Sequence, residues 1–302
     1  MRTYWKEYND RVLDVGCGDG GVTVDLLRQH MPVNFERLLG CDISESMIEH
    51  ANKHYRDRRT EFLVLDIESS MPDELIEKFN HVFSFFTLHW VLQQEKAFRN
   101  IYNLLDIDGD CLLVFMGHTL IFDTWRRLSK QQKCSAYMKD VDKYVSPYHD
   151  CVDPETRVRS LMETVGFHEV DVQCRNKTFI YDNVESFKKA LTAISPFAMP
   201  SNVQEEFLEE MIKELQLMDK PNDDIEDDTK VHSLLITFTP PKALASLRDV
   251  PARTLRPFIL CLVHAEGCLI LFGISLALLV RDLDKAVHVD DNRLDGIKPA
   301  VM

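Results

Sequence analysis

The segment VLDVGCGDGGVTVDLL, Val12–Leu27, constrains the fold more than any other stretch. An apolar, strand-like run stops at Asp14, and Gly16, Gly18, Gly20 and Gly21 follow within six residues. A helix-like pattern then begins at Gly21. Glycines here let backbone N–H groups approach a ligand with no Cβ in the way. Gly16, Gly18 and Gly21 satisfy G-x-G-x-x-G in the strand–turn–helix setting that a nucleotide site needs. The spacing alone leaves open a dinucleotide, a sulfonium nucleoside or a plain tight turn.

Periodicity along the chain places this loop in a larger pattern. Strands are predicted at about 11–15, 37–42, 61–66, 80–86, 109–116, 167–174 and 231–239. Helices are predicted near 21–30, 44–56, 73–79, 93–105, 119–130, 153–164, 183–193 and 201–218. Such alternation implies an α/β fold, a mostly parallel sheet covered on both faces. Ser44 is a candidate N-cap for the second helix, and DIDGD at 106–110 is read as a turn opened by Gly109. Eight cysteines occur without a CxxC pair or zinc spacing, so buried reduced thiols are expected rather than a disulfide framework, and no metal. The start, MRTYWKEYND, lacks a secretory pattern, and a cytoplasmic location is expected.

The net charge of −14, with no Lys/Arg block, argues against a nucleic-acid partner and for a small molecule. The acidic run 218–230 reads as a solvated loop before the last strand, which closes a first domain over 1–239. Residues 240–302 form an extension. Within it, 258–280 is a nearly apolar run of 23 residues, long enough to span a membrane, with Arg248, Arg253 and Arg256 before it. Glu266 in that run opposes insertion by roughly 2.5–3.5 kcal/mol. A C-terminal membrane anchor, a helix packed on the domain and a segment foreign to it all remain open; so does the oligomeric state.

Three carboxylates choose among the ligands. Asp14 sits two residues before Gly16, where it would repel a diphosphate but suit an ammonium and a sulfonium. Asp42 ends the second strand, where a carboxylate can accept both ribose hydroxyls. Asp66 ends the third, placed for an adenine amino group with Ile67 against the ring. Each alone could be a cap or a surface charge; together, behind the glycine loop, they form a pattern. An NAD-dependent oxidoreductase would need a hydride-site acid and tolerates Asp14 poorly.

This pattern resembles the class I S-adenosylmethionine-dependent methyltransferases, which implies a seven-stranded Rossmann-like sheet with S-adenosyl-L-methionine at the strand ends. The phrases CDISESMIEHANKHY, TEFLVLDIES, FSFFTLHWV, NIYNLL, GDCLLVF and VSPYHD narrow this, because they are similar to the insect juvenile hormone acid methyltransferases over about 11–239. The resemblance implies methyl transfer to the carboxylate of a farnesoic or juvenile hormone acid, and a two-helix segment at 183–218. It assigns Asp14, Gly16, Gly18 and Gly20 to the cofactor, with Asp42, Ile43, Asp66, Ile67 and Phe85. Phe86, His89 and Trp90 are assigned to the acceptor acid, with a capping or core role also open for His89 and core packing for Trp90. The apolar stretches 119–128 and 187–197 would suit an isoprenoid chain. No catalytic acid or base is expected, since a carboxylate is already a nucleophile. Only ten residues precede Arg11, so the N-terminal lid of such enzymes is expected to be missing. A scaffold that binds the cofactor without turnover, or an enzyme for another small acid, is the alternative.

Overall fold

Neighbouring residues of the first strand show how the layers arise. Val12 and Leu13 are both fully buried, yet Val12 packs with Leu27, Met31 and Leu38, and Leu13 with Leu39, Phe98 and Val158. Side chains alternate across a strand, so an unbroken apolar run demands a covering layer on each face. The computed structural model describes Trp5 and residues 9–181, 183–218 and 230–239, the last by backbone.

The strands are β1 Arg11–Val15, β2 Arg37–Asp42, β3 Thr60–Val64, β4 Phe79–Phe85, β5 Leu105–Thr119, β6 Asp171–Ile180 and β7 Lys230–Thr239. They form one sheet in the order β3-β2-β1-β4-β5-β7-β6. The first five are joined by parallel pairings, and β7 runs antiparallel to both of its neighbours. Strand order reverses between β1 and β4, which opens a crevice at their C-terminal ends. The helices are α1 Glu45–Tyr55, α2 Gln94–Leu104, α3 Leu120–Leu128, α4 Pro154–Val165, α5 Val184–Ile194 and α6 Ser201–Met218. Ser44 accepts the Met47 N–H and caps α1 as expected. α2 and α4 cover one face of the sheet. A second apolar cluster, built from α3, α5, α6 and 134–145, surrounds the fully buried Trp125.

Several expected boundaries differ. The helix at 73–79 is a single turn, Asp73–Leu75, because Pro72 precedes it, Glu77 turns the chain at φ 53° and Phe79 already pairs with Leu105. The helix at 21–30 is irregular, a wide π stretch Thr23–Leu27 running into a tight turn Arg28–His30. The turn read at 106–110 lies inside β5, as a bulge: pairing passes from Phe79↔Leu105 to His81↔Asp110. The sixth strand, expected at 167–174, is Asp171–Ile180, because Gly166 and Glu169, both at positive φ, delay its start. It tolerates Arg175 and Lys177 because it lies at the sheet edge.

The six described cysteines are free. At the other end of the sheet, His81 lies between Asp110 and Asp10, at 2.7 and 3.7 Å. Burial opposes its charge, but the two carboxylates raise its pKa to about 9. No helix among the described residues is long and apolar enough to cross a membrane. The apolar run 258–280, with all of 240–302, lies outside the described residues.

Candidate active site

The glycine loop is shaped by what it touches. Cys41 O accepts the N–H groups of Gly16 and Cys17 at 2.7 and 2.9 Å, which turns the chain sharply after β1. Gly16 has φ +77°, and a Cβ there would fall 2.0–2.5 Å from three side-chain atoms of Thr87. Thr87 in turn donates its hydroxyl to Gly16 O at 3.2 Å, locking the end of β4 to the loop. Gly18, at φ +56°, would place a Cβ in open space, so its bare backbone borders the crevice. Gly20 packs beneath, against Ala51 and Phe62.

The carboxylates meet different fates: Asp14 and Asp42 lie in the last two residues of β1 and β2, whereas β3 stops at Val64, so Asp66, expected to end it, stands two residues beyond. Asp42 accepts the N–H of Gly18 at 3.0 Å and of Ser44 at 2.9 Å, so it is aimed before any ligand arrives. Asp14 is 2 % exposed and accepts the Thr23 hydroxyl at 2.6 Å. Burial raises its pKa to about 7; the Thr23 bond opposes the shift and Asp42 adds to it. Asp66 accepts the Glu68 N–H and the Ser69 hydroxyl, so its carboxylate also builds its own turn. Ile67 is buried, whereas Ile43 is 69 % exposed on the rim.

These residues share one cavity of about 440 Å³. The glycine loop, Asp42–Ser44 and Leu65–Glu68 reach it from β1, β2 and β3. Phe85, Phe86, Thr87, Trp90 and Val91 reach it from β4 and the turn after it, and Ala193 from α5. Among the described residues, its charged lining is Asp14, Asp19, Asp42, Asp66 and Glu68, with no Lys, Arg or His. The structure therefore brings together every cofactor position read from the sequence except Gly20, which lies beneath.

Phe86 and Trp90 of the expected acceptor positions line the cavity, and His89 does not. His89 is buried, and burial lowers its pKa to about 3, so the ring is neutral. It packs against Trp90, which also contacts Phe122 and stacks on Trp125.

Sequence reasoning missed the groups that hold the walls. Asn100 donates to Ile67 O and Ser69 O, and Gln94 to Leu88 O and Val91 O. Asn100 lies in NIYNLL, but no local pattern tells a buried amide on a helix from an exposed one. A group apart from the cavity, His118, Asp123 and His149, has metal-ligand chemistry. Its two rings stack at 4.5 Å and 7°, and His149 Nε2 lies 3.1 Å from the Asp123 carboxylate.

A family model described as a methyltransferase domain matches residues 12–109. Juvenile hormone acid O-methyltransferase of Bombyx mori is 48% identical over 230 residues, 75% of this chain and 82% of that protein. The protein of the same name from Drosophila melanogaster is 40% identical over 208 residues, 67% of this chain and 70% of that one. A solved structure of a candidate methyltransferase from Bacillus halodurans C-125 covers 77% of this chain and 92% of its own, with TM-score 0.51 at 18% identity, a likeness of fold alone. With the glycine loop and the acidic strand ends in place around one cavity, and relatives this similar over most of its length, the chain belongs to the juvenile hormone acid O-methyltransferase family of class I S-adenosylmethionine-dependent methyltransferases.

Proposed function

We propose that this chain transfers a methyl group from S-adenosylmethionine to the carboxylate of a small apolar acid of the juvenile hormone acid or farnesoic acid type. The observation that carries this reading is that one cavity has both linings, acidic at the glycine loop and aromatic at Phe85, Phe86 and Trp90. Its residues fit the cofactor. Asp42, Ile43, Asp66 and Ile67 would take the adenosine. The backbone of Gly16 and Gly18, above Asp14, would take the amino-acid end, with Gly20 shaping the loop and Phe85 closing the side. Phe86 and Trp90 would wall the isoprenoid chain, and His89 would support Trp90 from behind. When bound, S-adenosylmethionine supplies a methyl group on a positively charged sulfonium and leaves as a neutral thioether.

The chain need not move a proton, because the acceptor carboxylate is already ionised at neutral pH. Its task is to desolvate that carboxylate and hold it in line with the methyl, and such positioning can lower a barrier by roughly 7–11 kcal/mol. A methyl-transfer assay against a panel of acids tests the proposal. Turnover on isoprenoid acids supports it; cofactor binding without turnover on any acid overturns it in favour of a scaffold.

The acidic lining has a consequence for affinity. Asp19, Asp42, Asp66 and Glu68, joined by Asp14 as it ionises, repel an incoming acid until a cationic ligand sits among them. Farnesoic acid should bind the free chain at least about tenfold more weakly than the complex with a cofactor analogue bearing an amine in place of the sulfonium, since about 1.4 kcal/mol of charge interaction is tenfold. S-adenosylhomocysteine, with its neutral thioether, should give an intermediate value. Calorimetry in the three states checks this, and one affinity in all three contradicts it.

Asp42→Ala should weaken S-adenosylhomocysteine binding by about 1–3 kcal/mol, because it removes the ribose acceptor and leaves the Gly18 and Ser44 N–H groups unpaired. Unchanged affinity would mean that the ribose lies elsewhere.

A further inference from the structure

We infer that helix α2 sets the two halves of the cavity separately, Asn100 positioning the cofactor wall and Gln94 the acceptor wall. This rests on the proposed methyl transfer. The Asn100 side-chain amide donates to Ile67 O at 2.7 Å and Ser69 O at 2.8 Å, tying down the turn that presents Asp66 and Ile67. The Gln94 amide donates to Leu88 O at 2.6 Å and Val91 O at 2.7 Å, across the turn that presents Trp90. Its own carbonyl accepts the Tyr148 hydroxyl at 3.0 Å.

Gln94 and Asn100 are 6% and 9% exposed, and neither lines the cavity. They are positioning residues. A buried carboxamide is costly unless its donors are used, and a leucine of similar size would pack there without that demand. What the amides supply is four fixed carbonyls, two in the turn that carries each wall: Ile67 and Val91 line the cavity, and Ser69 and Leu88 flank them. Because both sit on one helix, the spacing between the walls follows the helix, while each wall has its own tether.

The test uses the full chain with Asn100→Leu, Gln94→Leu and Tyr148→Phe. Calorimetry reads the Kd of S-adenosylhomocysteine, and then the Kd of farnesoic acid on the complex with the amine-bearing analogue. Losing such tethers should weaken the affected ligand about tenfold. Asn100→Leu should raise the first Kd and leave the second near wild type. Gln94→Leu should do the reverse. Tyr148→Phe keeps the ring and removes only the outer anchor, so it should raise the acid Kd in the same sense by less, and it carries the test if Gln94→Leu does not fold. Parallel loss of both ligands in the Leu variants, or wild-type acid binding by Tyr148→Phe, overturns the inference. A wild-type chain that binds neither ligand overturns the proposed function itself, and the inference with it.

Discussion

Gly16→Ala is expected to unfold the glycine loop and abolish binding of S-adenosylhomocysteine. The new methyl group would lie 2.0–2.5 Å from Thr87 Oγ1, Cγ2 and Cβ, far inside contact distance. Thr87 cannot swing away freely, because its hydroxyl bonds Gly16 O and Phe85 O. The backbone at φ +77° adds a second cost of roughly 1–2 kcal/mol for any residue with a Cβ. Overpacking typically adds about 1–3 kcal/mol, so the sum is a large part of the roughly 5–15 kcal/mol that holds a domain folded. Urea unfolding gives the stability, and calorimetry the binding. Adding Thr87→Gly should restore part of the stability by removing the clash, while the φ cost stays. A Gly16→Ala chain with wild-type midpoint and affinity would contradict this account of the loop.

Asp14→Asn should have opposite effects on stability and binding, and both should depend on pH. In the cofactor-free fold the Asp14 carboxyl is raised from 3.8 to about 7, so the folded chain keeps a proton that the unfolded chain has lost. Stability from this group is therefore complete below the ordinary carboxyl range. It falls as pH climbs toward 7 and is level above. The substituted carboxamide has no charge to bury and can still accept the Thr23 hydroxyl. The variant should match wild type near about pH 4 and exceed it by a few kcal/mol near about pH 8. A positively charged ligand needs the ionised carboxylate. Wild-type affinity for the amine-bearing analogue should rise through the same pH window, and the variant's should stay low and flat. Thermal melts and titrations across that range decide the matter. A variant less stable than wild type at high pH would show that the buried charge is compensated.

The site was legible where chemistry is local. Asp14, Asp42 and Asp66 could be read because a strand end and the residue count after it fix where a carboxylate stands. The sheet lines them up, and they line the cavity with the glycine loop. The same reading could not tell a free carboxylate from a committed one. Asp66 is engaged with Glu68 and Ser69, and Asp14 with Thr23, through geometry that exists only once the turn and helix have formed. His89 and Trp90 are adjacent in LHWV, yet one is buried and the other lines the cavity. That split follows from the tight turn Leu88–Trp90, which the amide of Gln94 closes.

Alternating apolar runs, the glycine loop and the acidic strand ends determined by themselves the α/β layering, the parallel core and the nature of the ligand, because each acts over a few residues. Only the tertiary structure decided which of those residues meet a ligand and what holds them still. The partners of Gly16, Asp14, Gln94 and Asn100 include residues from 9 to 71 positions away in the chain. Contacts across such separations form when strands pair and helices pack, and no local spacing encodes them.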